Sequence, residues 1–472
     1  MRIVLFTGKG GVGKTTTAAA TAVRAARSGV RTLVLSTDAA HSLGDALDRD
    51  LRAVDHSHRH GDGDGQVGAP DPVCVEPGLH ALQVSAPHTV DRSWRVVQDY
   101  LLQLLGTLGI DTVVAEELTS LPGAEEVAAL LELRARAQSG QWDLVVVDCA
   151  PTAETLRLLA LPEALAWHLE RLLPGQRGLL RSLRPVAAAA AGVPLPSPEV
   201  AATVRGWYRQ MRDVHTLLTT DRSSVRLVLT PERVVIAEAR RMWTSLSLYG
   251  FVVDGVVVNR LIPVGNHKAD EADAGDQADQ ADQAGQAGQA GQADQADQAD
   301  SWQRAWNTAQ AAGLAEVERS FGGVPIATAP YLAHEPIGPD ALAALADQTS
   351  GIDTLGPDQL LEAVRRPGLT VSRTTRGYEL RLPLPLVTAS EVDLKRRGTE
   401  LLVAVGDHRR VLSLPSALQR CVVLGAGVRD GTLRVAFQPD PDQWRTPSVD
   451  GRDEPDHEPD EPSDAVTQEV AR

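Results

Sequence analysis

Along the first two thirds of the chain, short unbroken runs of aliphatic and β-branched residues alternate with longer stretches in which apolar residues return every three or four positions. The first run, residues 2–6, passes into a Gly-rich turn and then into an Ala-rich helical pattern from Lys14 to Arg27. Further strands are predicted at 31–36, 81–85, 144–148, 225–230, 252–258 and 324–328. Their hydrophobicity is continuous rather than alternating, the mark of parallel strands covered on both faces by helices. Strand, glycine turn and helix in this order predict a doubly wound α/β sheet. Two intervals, 90–138 and 162–218, are mostly helical in pattern and predict a helical subdomain beside that sheet. In the first of them Trp94, Val97, Leu101, Leu104, Leu105 and Leu108 form one apolar stripe. Such spacing suits a packed core and an exposed apolar groove alike.

The pattern then changes twice. Residues 269–300 repeat Ala-Asp-Gln or Ala-Gly-Gln with a period of three and contain no Val, Ile, Leu, Met or aromatic residue. A segment of that composition cannot offset the entropy of ordering, so a disordered insert is predicted over 264–300. Between Gly377 and Phe437 the period becomes two: Tyr378, Leu380, Leu382 and Leu384 alternate, as do Leu433, Val435 and Phe437. Turn signals fall at Arg397-Gly398, Gly406-Asp407 and Asp430-Gly431, which predicts a small all-β sandwich. The expected organisation is an α/β domain over 1–345, a linker over 346–372, a β-domain over 373–439 and a disordered acidic tail over 440–472.

Charge alters the picture less than its total suggests. The 472 residues carry 46 Lys plus Arg against 62 Asp plus Glu, a net of -16. Nine acidic residues against one Lys lie in 264–300, and ten against three Arg lie in 441–472, so the folded body is near neutral. Steering toward nucleic acid or an anionic membrane surface is therefore not expected. No run of about eighteen apolar residues occurs, and the apolar start before Thr7 is too short for a secretory signal. Neither an integral membrane protein nor an exported one is expected. Cys74, Cys149 and Cys421 are too few and too widely spaced for a disulfide framework, which points to a reducing cytoplasm.

Chemistry concentrates at the first turn. Gly8-Lys9-Gly10-Gly11-Val12-Gly13-Lys14-Thr15 satisfies the spacing of a phosphate-binding loop, with a strand before it and a helix, entered through Thr16, after it. Its glycines let successive N–H groups curl around phosphate oxygens, Lys14 spreads charge over the β- and γ-phosphates, and the Thr15 hydroxyl ligates Mg²⁺. Only Lys9, Lys14, Lys268 and Lys395 are lysines, so an Arg-rich chain has placed two of its four lysines in this loop. Asp38 follows the second strand, where a carboxylate can orient or deprotonate the attacking water and join the Mg²⁺ site through water, or merely cap the next helix. Leu144 to Val147 form an apolar strand ending in Asp148, the pattern of a carboxylate that holds Mg²⁺ through water. His56, His58 and His60 stand in a Gly/Asp-rich stretch and read either as a solvated loop or as a transition-metal site.

Taken together these residues resemble the ArsA family of arsenite-stimulated ATPases and its relatives that target tail-anchored membrane proteins. Asp38 and Ala40 to Ser42 match the family's first switch apart from Ala39, and Asp148, Ala150, Pro151, Thr152 and Thr155 match its second. Cys149, Ala153 and Glu154 depart from the latter. Lys9 looks like the additional lysine of the deviant Walker A class, which reaches the phosphates bound by a partner subunit. Asn259 with Arg260 is similar to the family's adenine-contacting pair, the region from Pro330 to its proline-containing adenine loop, and Pro122-Gly123 with Glu126 to another signature. The segment 373–439 resembles the small heat-shock-like domain that follows the ATPase in some members.

The resemblance implies a P-loop ATPase with ATP and Mg²⁺ as cofactors, acting as a homodimer or pseudo-dimer that handles hydrophobic or membrane-destined clients. Two alternatives stand beside it: the ATP-hydrolysing subunit of an arsenite or oxyanion efflux pump working with a membrane partner, and a surface-positioning ATPase. The relatives' Cys-x-x-Cys zinc pair is missing, and only Met211 and Met242 follow Met1, so any client groove would be lined by Leu, Val and Ala. An arsenite site needs converging thiols, and only three cysteines are present.

Overall fold

The structure, a computed structural model, describes residues 1–37, 42–51, 71–84, 97–100, 102–103, 106, 124–149, 197–263, 286–351, 360–364, 368–441 and 468–469, without the side chains of 124–128, 286–300 and 468–469. Eight strands form the main sheet: β1 (Arg2–Thr7), β2 (Thr32–Ser36), β3 (Val73–Glu76), β4 (Leu79–Gln83), β5 (Leu144–Asp148), β6 (Ser223–Leu229), β7 (Val253–Leu261) and β8 (Ile326–Pro330). Their order is β3-β4-β2-β5-β1-β6-β7-β8, and every pairing is parallel except β3 with β4. β1 thus lies at the centre between β5 and β6, where its six residues are all buried.

Both faces are covered, which is why the strands read as continuous apolar runs. On one face α1 (Lys14–Arg27), α2 (Ser42–Leu47) and α7 (Pro339–Gln348) pack Ala18, Ala22, Leu43, Leu47 and Leu342 against Val4, Phe6, Val34 and Val146. On the other, α3 (Ala124–Gln138), α4 (Pro198–Leu218), α5 (Arg233–Leu248) and α6 (Gln286–Phe321) pack Leu133, Met211, Ile236, Met242 and Phe321 against Leu5, Leu33, Val147 and Leu227. At the foot of the sheet the Arg2 guanidinium donates to Ser224 Oγ and to Asp254 Oδ2 at 3.1 Å, while Arg226 reaches Asp254 Oδ1 at 3.4 Å. Burial holds the Arg2 guanidinium below its ordinary pKa, and Asp254 offsets part of that penalty.

The C-terminal sandwich has one sheet of β11 (Val392–Arg397), β12 (Glu400–Val405) and β13 (His408–Ser413). The other carries β9 (Thr370–Thr374), β10 (Gly377–Pro383), β14 (Cys421–Arg429) and β15 (Thr432–Pro439), all paired antiparallel. Its core includes Leu380, Leu382, Leu401, Val403, Val435 and Phe437, and also Leu248, the last residue of α5, which is 0% exposed. The two units are joined around that helix end. Arg410 Nη1 donates to the Leu248 carbonyl at 2.7 Å, Thr244 Oγ1 donates to the Pro385 carbonyl at 2.8 Å, and the Tyr249 hydroxyl donates to the Arg409 carbonyl at 3.3 Å. A guanidinium at a helix C-terminus satisfies an orphan carbonyl and suits the helix dipole.

Four details depart from the pattern reading. β3, a four-residue strand antiparallel at the sheet edge, alternates too briefly to register as a strand. α6 begins at Gln286, inside the segment expected to be disordered. Its repeat lacks an apolar face but is rich in Ala, contains no Pro, and continues a helix whose far end is anchored by buried Val317 and Phe321. In the expected linker, α7 runs on to Gln348, Leu360 is buried against the sheet, and the Val364 N–H donates to the Asp221 carbonyl at 2.8 Å. In the tail, Gln468–Glu469 forms a two-residue strand, β16, on the edge of β9. The tail apart from 440–441 and 468–469, the remainder of the insert, His56 to His60, and most of the Trp94 stripe and helical subdomain lie outside the described residues. Among the described residues no helix is long and apolar enough to cross a membrane.

Candidate functional site

The loop from Gly8 to Thr15 emerges from the carboxyl end of β1, at the edge of an open parallel sheet where ligands gather. Two of its glycines are required by close approach. A Cβ on Gly8 would meet the Val228 carbonyl oxygen at 2.0 Å. Gly13 has φ +89°, and its Cβ would fall 2.3 Å from Nδ2 of Asn259. Gly10 and Gly11 form the exposed tip, and Val12 tucks into the core at 3% exposure.

Lys14 and Thr15 open α1 and Thr16 follows in its first turn, where no acidic residue competes for an anion. Lys14 is 7% exposed, and its ammonium lies 3.4 Å from the Lys9 carbonyl, against the loop's own backbone. Below it, Thr15 Oγ1 donates to Oδ2 of Asp148 at 2.7 Å, and Ser36 Oγ donates to the same oxygen at 3.3 Å. Strand order explains the meeting: β2 and β1 flank β5, and Asp148 is in register with Ser36 on one side and Phe6 on the other. A hydroxyl and a fully buried carboxylate at this separation are the hard oxygen donors that Mg²⁺ prefers. The residues fit that ion.

Lys9 does not point at its own loop's centre. Its ammonium is 3.7 Å from Glu238 Oε2 on α5, with the two side chains 40% and 31% exposed. Asn259 ends the buried part of β7, and its Nδ2 donates to the Val12 carbonyl at 2.9 Å. Pro330 closes β8 beside it, and the Tyr331 N–H donates to the Leu261 carbonyl at 2.7 Å. Behind Asp148, Cys149 is 2% exposed, and burial, reinforced by the neighbouring carboxylate, pushes its thiol pKa upward.

The structure therefore brings together Gly8 to Thr16, Asp148 and Asn259, with Pro330 at the margin. Asp38, Ala39 to His41, and Ala150 to Thr155 lie outside the described residues, as do Pro122-Gly123 and the side chain of Glu126. Sequence reasoning missed Ser36 and Glu238. Ser36 carried a signal, a hydroxyl ending an apolar strand one neighbour away from Asp148; Glu238 carried none, because an acidic residue in a helix is ordinary.

Residues 1–284 match the family model described as anion-transporting ATPase, and residues 375–437 match the model of an HSP20-like domain found in ArsA. The chain is 36% identical over 444 residues to an uncharacterized protein of Streptomyces coelicolor, covering 94% of this chain and 99% of the other. It is 32% identical over 441 residues to a Prosthecochloris vibrioformis protein that bears the provisional name arsenical pump-driving ATPase, covering 93% and 96%. It is also 30% identical over 277 residues to the ATPase GET3B of Arabidopsis thaliana, covering 54% of this chain and 63% of that one.

Proposed function

The chain belongs to the ArsA family of anion-transporting ATPases, and from that premise we propose a Mg²⁺-dependent, dimeric ATP-driven switch in the cytoplasm that handles hydrophobic or membrane-destined protein clients. The observation that carries the reading is the 2.7 Å contact between the Thr15 hydroxyl and Asp148 beneath an intact phosphate loop. Mg²⁺, when bound there, neutralises charge on the β- and γ-phosphates. The loop amides and Lys14 hold the polyphosphate, Thr15 and Asp148 fix the ion's position, and Asp38 orients the attacking water. Lys9 acts across a dimer interface. Its half-exposed side chain, which lies 3.7 Å from Glu238 on α5, supports a role toward another subunit rather than toward its own nucleotide.

Lys9→Ala and Lys14→Ala, each expected to be nearly inactive alone, test this. In a mixed dimer one site keeps its own Lys14 and receives Lys9 from the Lys14→Ala chain, so part of the lost turnover returns. An inactive mixture, with mixed dimers verified by co-purification of two differently tagged chains, overturns the trans role.

The name carried by several relatives favours a second reading, the energising subunit of an oxyanion pump. The three cysteines speak against it: Cys74 is exposed on β3, Cys149 is buried behind the site, and Cys421 is buried in the sandwich core. Turnover stimulated by arsenite supports the pump; stimulation by an apolar helical peptide supports the client switch.

A further inference from the structure

The two lysines of the loop are held by different parts of the protein. The Lys14 ammonium lies 3.4 Å from the Lys9 carbonyl, within the loop itself, whereas the Lys9 ammonium lies 3.7 Å from Glu238 Oε2 on α5, outside the loop. Glu238 does not use the partner its own helix offers. Arg241 stands three positions further on, a spacing at which a helical carboxylate and guanidinium can meet, yet among the described residues the one ion pair of Glu238 is with Lys9.

The carboxylate is the fixed member of this pair. On α5, Ile236, Ala239 and Met242 are buried against the sheet, and Leu248 at the helix end is buried in the core of the sandwich. Lys9 is the movable member, an ammonium on a flexible four-carbon stem between Gly8 and Gly10. In a nucleotide-loaded subunit with no counter-charge on α5, the strongest attraction for that ammonium is the subunit's own polyphosphate, which Lys14 already serves.

We propose that Glu238 is a positioning residue for Lys9: it holds the ammonium away from the subunit's own nucleotide and so keeps it available to nucleotide bound by a second copy of the chain. This rests on the reading of Lys9 as a residue that acts across a dimer interface. Removing the carboxylate then has two effects of opposite sign. The freed Lys9 folds back onto its own polyphosphate, so each subunit binds nucleotide more tightly; fewer ammonium groups reach the partner's site, so turnover falls. A half-exposed pair sets the scale at about two- to fivefold for each effect.

The test uses the full-length protein and its Glu238→Gln, Glu238→Ala and Glu238→Asp variants, each with Lys9 intact and with Lys9→Ala. Affinity for a non-hydrolysable Mg-ATP analogue is measured in dilute solution, where light scattering reports single subunits, and turnover by phosphate release. With Lys9 intact, Glu238→Gln and Glu238→Ala tighten analogue binding and slow turnover, and Glu238→Asp, which keeps the charge on a shorter arm, lies between them and the parent. With Lys9→Ala, the same changes at 238 leave analogue affinity where it was. The inference is overturned if affinity and turnover fall together, as general loosening of α5 predicts, or if neither changes. It is equally overturned if analogue binding tightens by the same factor in the Lys9→Ala background, because the carboxylate then acts on the phosphates directly and not through Lys9. Full turnover in Lys9→Ala itself refutes the trans reading and takes the positioning role with it; a Lys9-dependent turnover that is indifferent to residue 238 refutes the positioning role alone.

Discussion

Leu248 ends a helix of the ATPase body, yet its side chain belongs to the core of the β-sandwich. Replacing it by Ala removes three buried carbon atoms from a site with 0% exposure, a change that costs about 2–5 kcal/mol in cores that relax incompletely. If the chain is cut after Arg373, the same side chain loses its cover, and Leu248→Ala becomes a surface substitution worth about 0.5 kcal/mol or less. The difference between the two backgrounds, about 1.5 kcal/mol or more, is the coupling between the units through this residue. The chain supplies a convenient reporter, because none of its eight tryptophans falls between 373 and 439. Seven of them precede 373 and report on the ATPase body; Trp444, which follows the sandwich, is replaced by Phe in the full-length proteins so that fluorescence in a urea titration follows the body alone. Four proteins are needed: full-length and truncated, each with Leu or Ala at 248. A shift of the fluorescence transition in the full-length pair and almost none in the truncated pair is expected. Equal shifts in both pairs, or no shift in the full-length pair, would refute the claim that the sandwich is built onto the end of α5.

Asp148→Asn should reduce turnover by about 10²-fold, or roughly 3 kcal/mol of barrier, while nucleotide affinity measured in excess chelator stays within a few-fold of the parent; unchanged Mg²⁺ dependence of turnover removes Asp148 from the metal site. Asp38→Asn should lower turnover on a similar scale of about 10²-fold with nucleotide affinity retained, and an unaltered rate excludes it as the residue that orients water. A thiol-reactive maleimide at neutral pH should label Cys74 within minutes and leave Cys149 and Cys421 unmodified in the native protein, as peptide mass mapping would show. Burial raises the Cys149 pKa, so its reactive thiolate is scarcer than in an exposed cysteine, and rapid native labelling at that position contradicts its placement behind Asp148.

Most residues of the candidate site stand out in the sequence because a phosphate loop imposes residue types at fixed spacing. Gly8 and Gly13 cannot vary where a carbonyl and an amide approach within a Cβ radius, and Lys14 and Thr15 must follow Gly13 directly to open the helix. The parallel strands were legible for a related reason, since burial on both faces leaves little room for polar residues. The docking of the sandwich was not, because Leu248 has the same helical spacing whether it faces its own domain or another. β3 escaped because four residues with alternating exposure provide too few periods to tell a strand from a loop. The helical course of the repeat from Gln286 was not legible, because a missing apolar face argues against independent folding but not against extending a helix already anchored at Phe321. The contact of Asn259 with the Val12 carbonyl spans 247 positions of sequence, which no local pattern displays.

The central place of β1 also has a consequence for synthesis. The strand is made first, but its neighbours are β5, which starts at Leu144, and β6, which starts at Ser223. At ribosomal rates of about 5–20 residues per second, roughly 7–28 s pass before the first of those neighbours is translated. The second follows about 4–16 s later, and Asn259, whose side chain meets the Val12 carbonyl, comes after both. Throughout that interval a nascent chain displays an unpaired strand whose four central residues, Ile3 to Phe6, are all apolar, next to a glycine loop that has no template. Nucleotide therefore cannot help the earliest part of this protein to fold; it can only select chains whose synthesis has already passed β7.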